Sequence, residues 1–263
     1  PDVDPKTHPY IATGLKSSKF GVPFDQALPL YRQAQALPHL AIRGIDCHIG
    51  SQLLDPAPAA EAAQKLLGLA DTLAAEGMPL AHLDFGGGMG IRYRDEAAPD
   101  PASYLAPTLA LLEGRRETLM LEPGRSLVGN AGLLLTRIEV LKHGEEKHFA
   151  IVDAAMNDML RPALYDAWLD ILPVRRHTGA ERIYEIVGPV CESGDFLGHG
   201  RKLSLCEGDL LAVMSAGAYG MAMSSNYNSR PRAAEVMVDR DKAHLVRQRE
   251  EVAQLFALET VLP

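Results

Sequence analysis

The 263-residue sequence has little of what would indicate three common classes of protein. Its three cysteines, Cys47, Cys191 and Cys206, are too few and too scattered to predict a disulfide framework or a zinc site. It has no stripe of basic residues, and its formal net charge of -8 argues against nucleic acid or an anionic membrane as a partner. No apolar run approaches the ~20 residues of a membrane-spanning helix. The first residues do not resemble a signal peptide. We therefore expect a cytoplasmic protein.

The first half of the sequence alternates between strand-like and helix-like segments. Residues 58–76 predict a helix, because leucines and alanines recur on one face and Gly77 follows as a stop. We expect Ser103 to cap a second helix that runs to about Arg115. Three short apolar segments flank these helices, and they predict strands at 41–48, 80–85 and 118–122. Strands and helices in this order indicate parallel β/α units.

The pattern changes near Gly132. Beyond it, loops rather than long helices connect the predicted strands, which lie at 133–142, 148–152, 182–187, 209–215 and 233–238. We therefore predict two domains, a partial β/α barrel at residues 1–130 and a β-rich domain at residues 131–263. A complete β/α barrel has eight strands, and about three are found before the pattern changes. Either the first sheet is small and open, or part of a barrel is missing.

Three motifs close the predicted parallel strands, where β/α barrels carry their active sites. Gly86–Gly88, which follow a strand, would let a phosphate approach the backbone closely, although a tight turn explains them equally well. Glu122 could pair with a protonated ring nitrogen, and Arg125 could bind a carboxylate or phosphate, unless both belong to a surface turn. His48 could lie against an aromatic cofactor or move protons, but a hydrogen-bonded structural histidine is the commoner case.

The second half contains three further candidates. Arg161 and Tyr165 are four residues apart, so on a helical turn they would share a face. Cys191 stands beside Glu192 in a Gly-Pro loop, where a cysteine is less typical of core packing. Tyr219 lies in a turn of small residues, from which its hydroxyl could reach a phosphate, although simple packing is usual for a single tyrosine.

Taken in order, these motifs resemble those of the diaminopimelate decarboxylases, which belong with ornithine decarboxylase and alanine racemase to the fold-type III pyridoxal-phosphate enzymes. The resemblance covers the whole chain. It rests on CHIGS at 47–51, DFGGG at 84–88, EPGR at 122–125, RPALY at 161–165, GPVCESGD at 188–195 and GAY at 217–219. It implies an alanine-racemase-like β/α barrel followed by a β-rich domain. It also implies that pyridoxal 5'-phosphate serves to decarboxylate meso-2,6-diaminopimelate to L-lysine, the last step of lysine biosynthesis.

The resemblance implies a role for each motif residue. His48 would stack on the cofactor ring, Glu122 would pair with its nitrogen, and Cys191 would donate a proton near the reacting carbon. The implied phosphate and other cofactor contacts come from Ser51, Gly86, Gly87, Gly88, Gly124, Arg125 and Tyr219. The implied substrate contacts come from Arg125, Arg161, Tyr165 and Tyr219 for the far carboxylate end and Glu192 for the distant ammonium group. In the family, Cys191 and Glu192 would reach the neighbouring subunit's site, so the resemblance implies a homodimer with shared active sites.

One family feature is absent from this sequence. The lysine that holds the cofactor lies in a Tyr-Ala-x-Lys-Ala-Asn segment on the first barrel strand, and Lys6, Lys16, Lys19 and Lys65 all lack that context. We interpret the chain as the carboxyl-terminal part of a longer enzyme. The 263 residues alone are expected to be inactive, because they cannot hold the cofactor covalently through that lysine.

Two alternatives remain at this point. A related decarboxylase acting on carboxynorspermidine or another long diamino acid would share most motifs, although Arg161 with Glu192 suits a substrate with both a carboxylate and an amine at its far end. Ornithine decarboxylases carry aspartate where this chain has Glu192. A non-catalytic regulatory paralogue would explain the missing lysine, but it would not require the cofactor and substrate residues to be kept.

Overall fold

A computed structural model describes residues 1–4 and 12–262, so Lys6 lies outside the described residues. The chain divides into two compact units, Pro1–Val128 and Gly129–Pro263. Within the described part of the chain, no helix combines the length and the apolarity needed to cross a membrane.

The first unit is built from β/α units around a parallel sheet. Its three strands lie in the order β1-β2-β3 and are paired in parallel. The elements are α1 (Phe24–Gln35), β1 (Gly44–Asp46), α2 (Ala57–Ala75), β2 (His82–Asp84), α3 (Pro101–Leu111), β3 (Thr118–Met120) and α4 (Arg125–Val128). The predicted parallel β/α arrangement is confirmed, but each strand has three residues, fewer than expected, because the chain leaves the ladder for the loops that carry the motifs.

Burial of α2 against the sheet accounts for much of the core of this unit. Leu66 and Leu73 of α2 are 2% and 0% exposed, and Leu83 at the centre of β2 is 1% exposed. Each such leucine contributes roughly 1.5–3 kcal/mol through the removal of apolar surface from water. Helix α1 was not predicted from the sequence. It contains Pro29 and buries none of its residues fully, but Phe24, Ala27, Leu28 and Tyr31 lie on one face and pack against the core around Leu73.

The start and end predicted for the second helix are wrong. Asp100, not Ser103, caps α3, since its carboxylate accepts the N–H groups of Ala102 and Ser103 at 3.0 and 3.2 Å. Pro101 occupies the first helical position, where its missing N–H costs no hydrogen bond. The helix ends at Leu111, short of the predicted Arg115.

The second unit is rich in β-structure. A six-stranded sheet has the order β6-β9-β4-β5-β7-β8, in which β5 and β7 are parallel and the other neighbours antiparallel, and β10 and β11 form a separate antiparallel pair. The elements are β4 (Leu134–His143), β5 (His148–Val152), α5 (Arg161–Tyr165), β6 (Ile171–Pro173), β7 (Arg182–Val187), β8 (Phe196–Leu203), β9 (Leu210–Val213), β10 (Glu235–Asp239), β11 (Lys242–Arg247) and α6 (Val252–Leu255).

The predicted strands of this half agree with five of those observed, and β5 and β7 agree to the residue. Strand β8 is not among the predicted strands, because Gly198 and Gly200 interrupt its apolar pattern. Leu197, near the start of β8, is nevertheless fully buried, at 0% exposure. The core of the sheet also contains Ile138, Val152 and Leu211, each at 0% exposure.

Candidate active site

Three carboxylates converge where the parallel strands end. Asp46 and Asp84 are the last residues of β1 and β2 and lie directly opposite one another in the ladder, and Glu122 follows β3 by two residues. One carboxylate oxygen from each of the three residues lies within 4.8 Å of the other two. Desolvation raises the pKa of Asp46, the negative charges of Asp84 and Glu122 raise it further, and nearby His48 acts in the opposite direction. The strand ends therefore favour a cationic, proton-donating partner.

The glycine turn after β2 packs directly on the neighbouring loops. A Cβ built on Gly87 would lie 2.1 Å from the carbonyl oxygen of Glu122, and one on Gly88 would lie 2.0 Å from that of Gly50. Gly88 also has φ +96°, a conformation that side chains disfavour. This close approach is what requires glycine at both positions.

Two N–H groups of the glycine turn are already engaged within the chain. Gly86 donates to Asp84 Oδ1 at 2.9 Å, and Gly87 donates to His48 Nδ1 at 3.2 Å. Because Nδ1 accepts this bond, the proton of a neutral His48 ring is on Nε2. The turn thus orients the half-buried imidazole, and a phosphate bound at the turn would compete with His48 for the Gly87 N–H.

Arg125 joins two of the strand-end loops. Its guanidinium is 5% exposed and donates to the Tyr93 hydroxyl and, at 2.8 Å, to Ser51 Oγ. It also lies 5.6 Å from the Tyr93 ring centre, within range of a cation–π interaction. The structure thus brings Arg125 to Ser51, two of the predicted cofactor residues. Exposed Gly124 accepts the Leu127 N–H through its carbonyl at the start of α4.

No role was predicted from the sequence for Tyr93, Asp46 or Asp84. Tyr93 is 6% exposed and lies five residues beyond Gly88, in a segment without a recognisable pattern. Asp84 begins the DFGGG motif and Asp46 directly precedes CHIGS, but only their position at strand ends could have indicated a function for them. Sequence spacing cannot show that both carboxylates meet Glu122.

A cavity of about 770 Å³ adjoins this end of the sheet within the first unit. Its wall includes Asp46 and His48 together with Tyr31 and Phe24 of α1. Its volume falls in the range of small-molecule sites, which are typically about 300–1,000 Å³. Of the three strand-end carboxylates, Asp46 lines this space, which is large enough to hold a cofactor-sized ring.

In the second unit, α5 carries two of the predicted substrate residues. Arg161 at its start is 8% exposed, and Tyr165 at its end is half-buried. Pro162 fixes the first turn. The helix ends because Asp166 adopts a left-handed conformation with φ +51°. Tyr219 lies elsewhere in this unit, 39% exposed, on a turn whose residue Ala216 donates its N–H to the Gly132 carbonyl at 2.8 Å.

The loop that carries Cys191 and Glu192 has an exposed tip and a buried anchor. Asp195 is 3% exposed, and its carboxylate accepts the N–H groups of Met156 at 2.6 Å and Val190 at 2.9 Å. Burial raises the pKa of Asp195, and the two N–H bonds and the positive charge of Arg230 oppose this shift without cancelling it. The resemblance segment contains this residue, but the sequence gives it no role. The structure shows that it holds the loop in place.

The three thiols differ in their access to reagents. Cys47 is 8% exposed, and burial raises its pKa to about 12, whereas Cys191 and Cys206 are exposed. We expect Ellman's reagent to modify two thiols per native chain at mildly alkaline pH and the third only after denaturation, since the thiolate is the reactive form. Cys47→Ala should leave the fast count unchanged. Rapid modification of all three thiols would contradict this assignment.

Residues 1–129 match the family described as pyridoxal-dependent decarboxylase, pyridoxal binding domain. Diaminopimelate decarboxylase of Vibrio cholerae is 60% identical over 264 residues, and that of Pseudomonas aeruginosa is 58% identical over 263. Each alignment covers 100% of this chain and 63% of the relative, so the chain spans less than two thirds of the curated relatives that it matches.

Solved structures show the same similarity to diaminopimelate decarboxylases. A crystal structure of diaminopimelate decarboxylase from Helicobacter pylori complexed with L-lysine has a TM-score of 0.93 and 42% identity, and the match covers 98% of this chain and 64% of that one. The predicted fold class, the carboxyl-terminal part of a β/α barrel followed by a β-rich domain, is confirmed by such neighbours. Residues 1–129 thus match the pyridoxal-binding domain of the pyridoxal-dependent decarboxylases, and the chain as a whole is similar to these diaminopimelate decarboxylases.

Proposed function

We propose that this chain is part of a diaminopimelate decarboxylase, an enzyme that removes CO2 from meso-2,6-diaminopimelate with pyridoxal 5'-phosphate and forms L-lysine. The observation that carries the proposal is the cluster of Asp46, Asp84 and Glu122 beside His48 at the strand ends. The substrate assignment is supported by relatives named diaminopimelate decarboxylase at 60% and 58% identity and by the relative complexed with L-lysine.

The donor set at the strand ends suits a pyridoxal cofactor. A protonated pyridine nitrogen is a cation with one N–H, and the three clustered carboxylates favour such a partner. Bound there, the cofactor supplies an electron sink for the charge left on the substrate when CO2 departs. Glu122 would accept the ring N–H and keep the nitrogen protonated. His48, whose Nδ1 accepts the Gly87 N–H at 3.2 Å, would lie against the ring face.

The phosphate of the cofactor would be bound by the backbone of Gly86, Gly87 and Gly88, together with Gly124, Ser51 and Tyr219. Arg125 contributes in part by fixing Ser51, to which it donates at 2.8 Å. This assignment is supported by the closeness with which the glycine backbone approaches its neighbours, since a side chain at Gly87 or Gly88 would not fit. The Gly87 N–H then serves either His48 or the phosphate.

The substrate's far end is assigned to Arg125 and to four residues of the second unit. Arg161, with Tyr165, Tyr219 and Arg125, binds the carboxylate that is kept, and Glu192 binds the distant ammonium group. Cys191 delivers the proton to the carbon that CO2 leaves.

The exposure of Cys191 and Glu192 at a loop tip supports a homodimer in which they complete the neighbouring subunit's site. Residues 1–130 form the cofactor-binding domain and 131–263 the β-rich domain, and the free thiols fit a cytoplasmic enzyme.

A substrate panel tests this proposal. The full-length protein that carries this sequence, loaded with pyridoxal 5'-phosphate, should release CO2 from meso-diaminopimelate and form an equal amount of L-lysine. L-Lysine, L-ornithine and carboxynorspermidine should be turned over at least ~100-fold more slowly, since a site built for a second carboxylate rejects substrates that lack it. Preference for carboxynorspermidine, or binding of cofactor without turnover of any substrate, would overturn the proposal in favour of one of the two alternatives.

Substitution Glu122→Gln should reduce kcat for diaminopimelate by ~100-fold or more, because a neutral amide cannot keep the ring nitrogen protonated. KM should change less, since Glu122 does not contact the substrate. Steady-state CO2 release measures both constants, and absorbance of the bound cofactor shows that it is retained.

The matched control is Glu113→Gln, which removes an exposed carboxylate from the turn after α3. Its kcat should equal that of the parent enzyme. Equal kcat values for Glu122→Gln and Glu113→Gln would show that Glu122 has no role in the mechanism.

A further inference from the structure

A second group of potential ligand atoms lies in the β-rich unit. His177 belongs to the connection between β6 and β7, while Cys206 and Asp209 belong to the turn between β8 and β9. His177 Nε2 lies 2.9 Å from Asp209 Oδ1. One ligand atom from each of the three side chains lies within 4.8 Å of the other two. The group is formed from two loops that are distant in sequence, so no sequence motif predicts it.

The chemistry of the three side chains narrows the choice of ligand. A thiol sulfur, an imidazole nitrogen and a carboxylate oxygen are the donors that Zn²⁺ uses, whereas Ca²⁺ and Mg²⁺ prefer oxygen alone. With metal–ligand bonds of roughly 2.0–2.3 Å, neighbouring donors around a tetrahedral ion lie about 3.3–3.8 Å apart. The His177–Asp209 separation of 2.9 Å lies just below this range, and the other two separations are at most 4.8 Å.

The turn holds two of the three ligands in a fixed relation. Asp209 Oδ2 accepts the Cys206 N–H at 2.7 Å, and the Asp209 N–H donates to the Cys206 carbonyl at 3.2 Å. Gly208, with φ +85°, permits the tight reversal between them. His177 is then held to the turn by Asp209. Cys206 is exposed and the His177 side chain is 31% exposed, so an ion from solvent can enter.

We propose that His177, Cys206 and Asp209 form a Zn²⁺-binding site in the second unit, with solvent as the fourth ligand. Binding forms a Zn–S bond to Cys206 and releases the thiol proton to solvent. The hydrogen bond between Asp209 and His177 is replaced by coordination of both side chains to Zn²⁺. The ion then connects the two loops. The site does not depend on the proposed decarboxylase activity, and it differs from the expectation that the scattered cysteines exclude zinc.

Cobalt provides a spectroscopic test, because Co²⁺ occupies zinc sites and its bond to a thiolate gives a charge-transfer absorption. Untagged protein freed of metal by a chelator should bind about one Co²⁺ per chain and develop this absorption, and Zn²⁺ should abolish it. Cys206→Ser should remove the charge-transfer band, and His177→Ala should weaken Co²⁺ binding at least ~10-fold.

Two variants serve as matched controls. His199 pairs with Glu185 at 2.6 Å, as His177 pairs with Asp209, but lies outside the cluster, so His199→Ala should bind Co²⁺ normally. Cys191→Ser removes the other exposed thiol and should also leave the band intact. In addition, Zn²⁺ should protect Cys206 from thiol reagents while Cys191 stays reactive. Absence of a band in folded protein, or its persistence in Cys206→Ser, would show that the group is only a hydrogen-bonded turn.

Discussion

Gly88→Ala is expected to lower the free energy of unfolding by about 3 kcal/mol or more. A left-handed backbone costs a side chain roughly 1–2 kcal/mol, and overpacking adds about 1–3 kcal/mol. At Gly88, φ is +96° and the new Cβ would lie 2.0 Å from the Gly50 carbonyl oxygen and 3.1 Å from Leu53 Cδ1. The nearest of these is a backbone atom, which cannot move aside without displacing the loop after β1. Urea denaturation followed by circular dichroism measures the loss.

Gly114→Ala separates the two contributions. Gly114 has φ +79°, but no atom of the described residues lies within 4 Å of its Cβ position. Only the conformational cost remains there, so we expect a loss of roughly 1 kcal/mol. If both variants lost the same stability, the packing of the glycine turn against the loop after β1 would not be what requires glycine at position 88.

Asp195→Ala is expected to cost about 2–4 kcal/mol of stability, because the N–H groups of Met156 and Val190 lose a common buried acceptor. The loop that carries Cys191 and Glu192 should also become more accessible to proteases, which limited proteolysis would reveal. Asp241→Ala, at the exposed turn between β10 and β11, is the control and should change stability by less than ~0.5 kcal/mol.

The same residue predicts a pH dependence with a definite sign. Burial raises the pKa of Asp195 above its ordinary value in the folded chain. Between the unfolded and folded values the folded state holds the extra proton, so this group's contribution to stability falls as pH rises through that window. The difference in stability between the parent and Asp195→Ala should therefore be largest at the acid end. A difference that grew with pH would refute this sign.

A helix or strand of this structure is predictable from the sequence when the pattern that specifies it lies within or next to that segment. Helix α2 was predicted to within one residue at each end, because its leucine stripe lies in the helix itself and Gly77 follows closely after it. Strands β5 and β7 were predicted fully, because their apolar patterns are equally local. Helix α1 was not predicted, although Phe24, Ala27, Leu28 and Tyr31 share one face, and Pro29 within it weakens the helix signal.

The site was predictable only in part. The motif residues His48, Ser51 and Arg125 could be named in advance, but their contacts could not. The meeting of Asp46 with Asp84 depends on the register of β1 against β2, and the contact of Arg125 with Tyr93 joins residues 32 apart. Asp195 acts through burial, which no short pattern encodes.

The hydrogen bond from the Gly87 N–H to His48 Nδ1 couples the conformation of the glycine turn to the protonation of that nitrogen. An amide N–H is always a donor, whereas an imidazolium has no lone pair left to accept it. A proton on Nδ1 and an intact bond from the glycine turn are therefore mutually exclusive states of the same few atoms. Whatever protonates His48 at that nitrogen must also release the backbone of Gly87, and whatever draws the Gly87 N–H away leaves Nδ1 open to a proton.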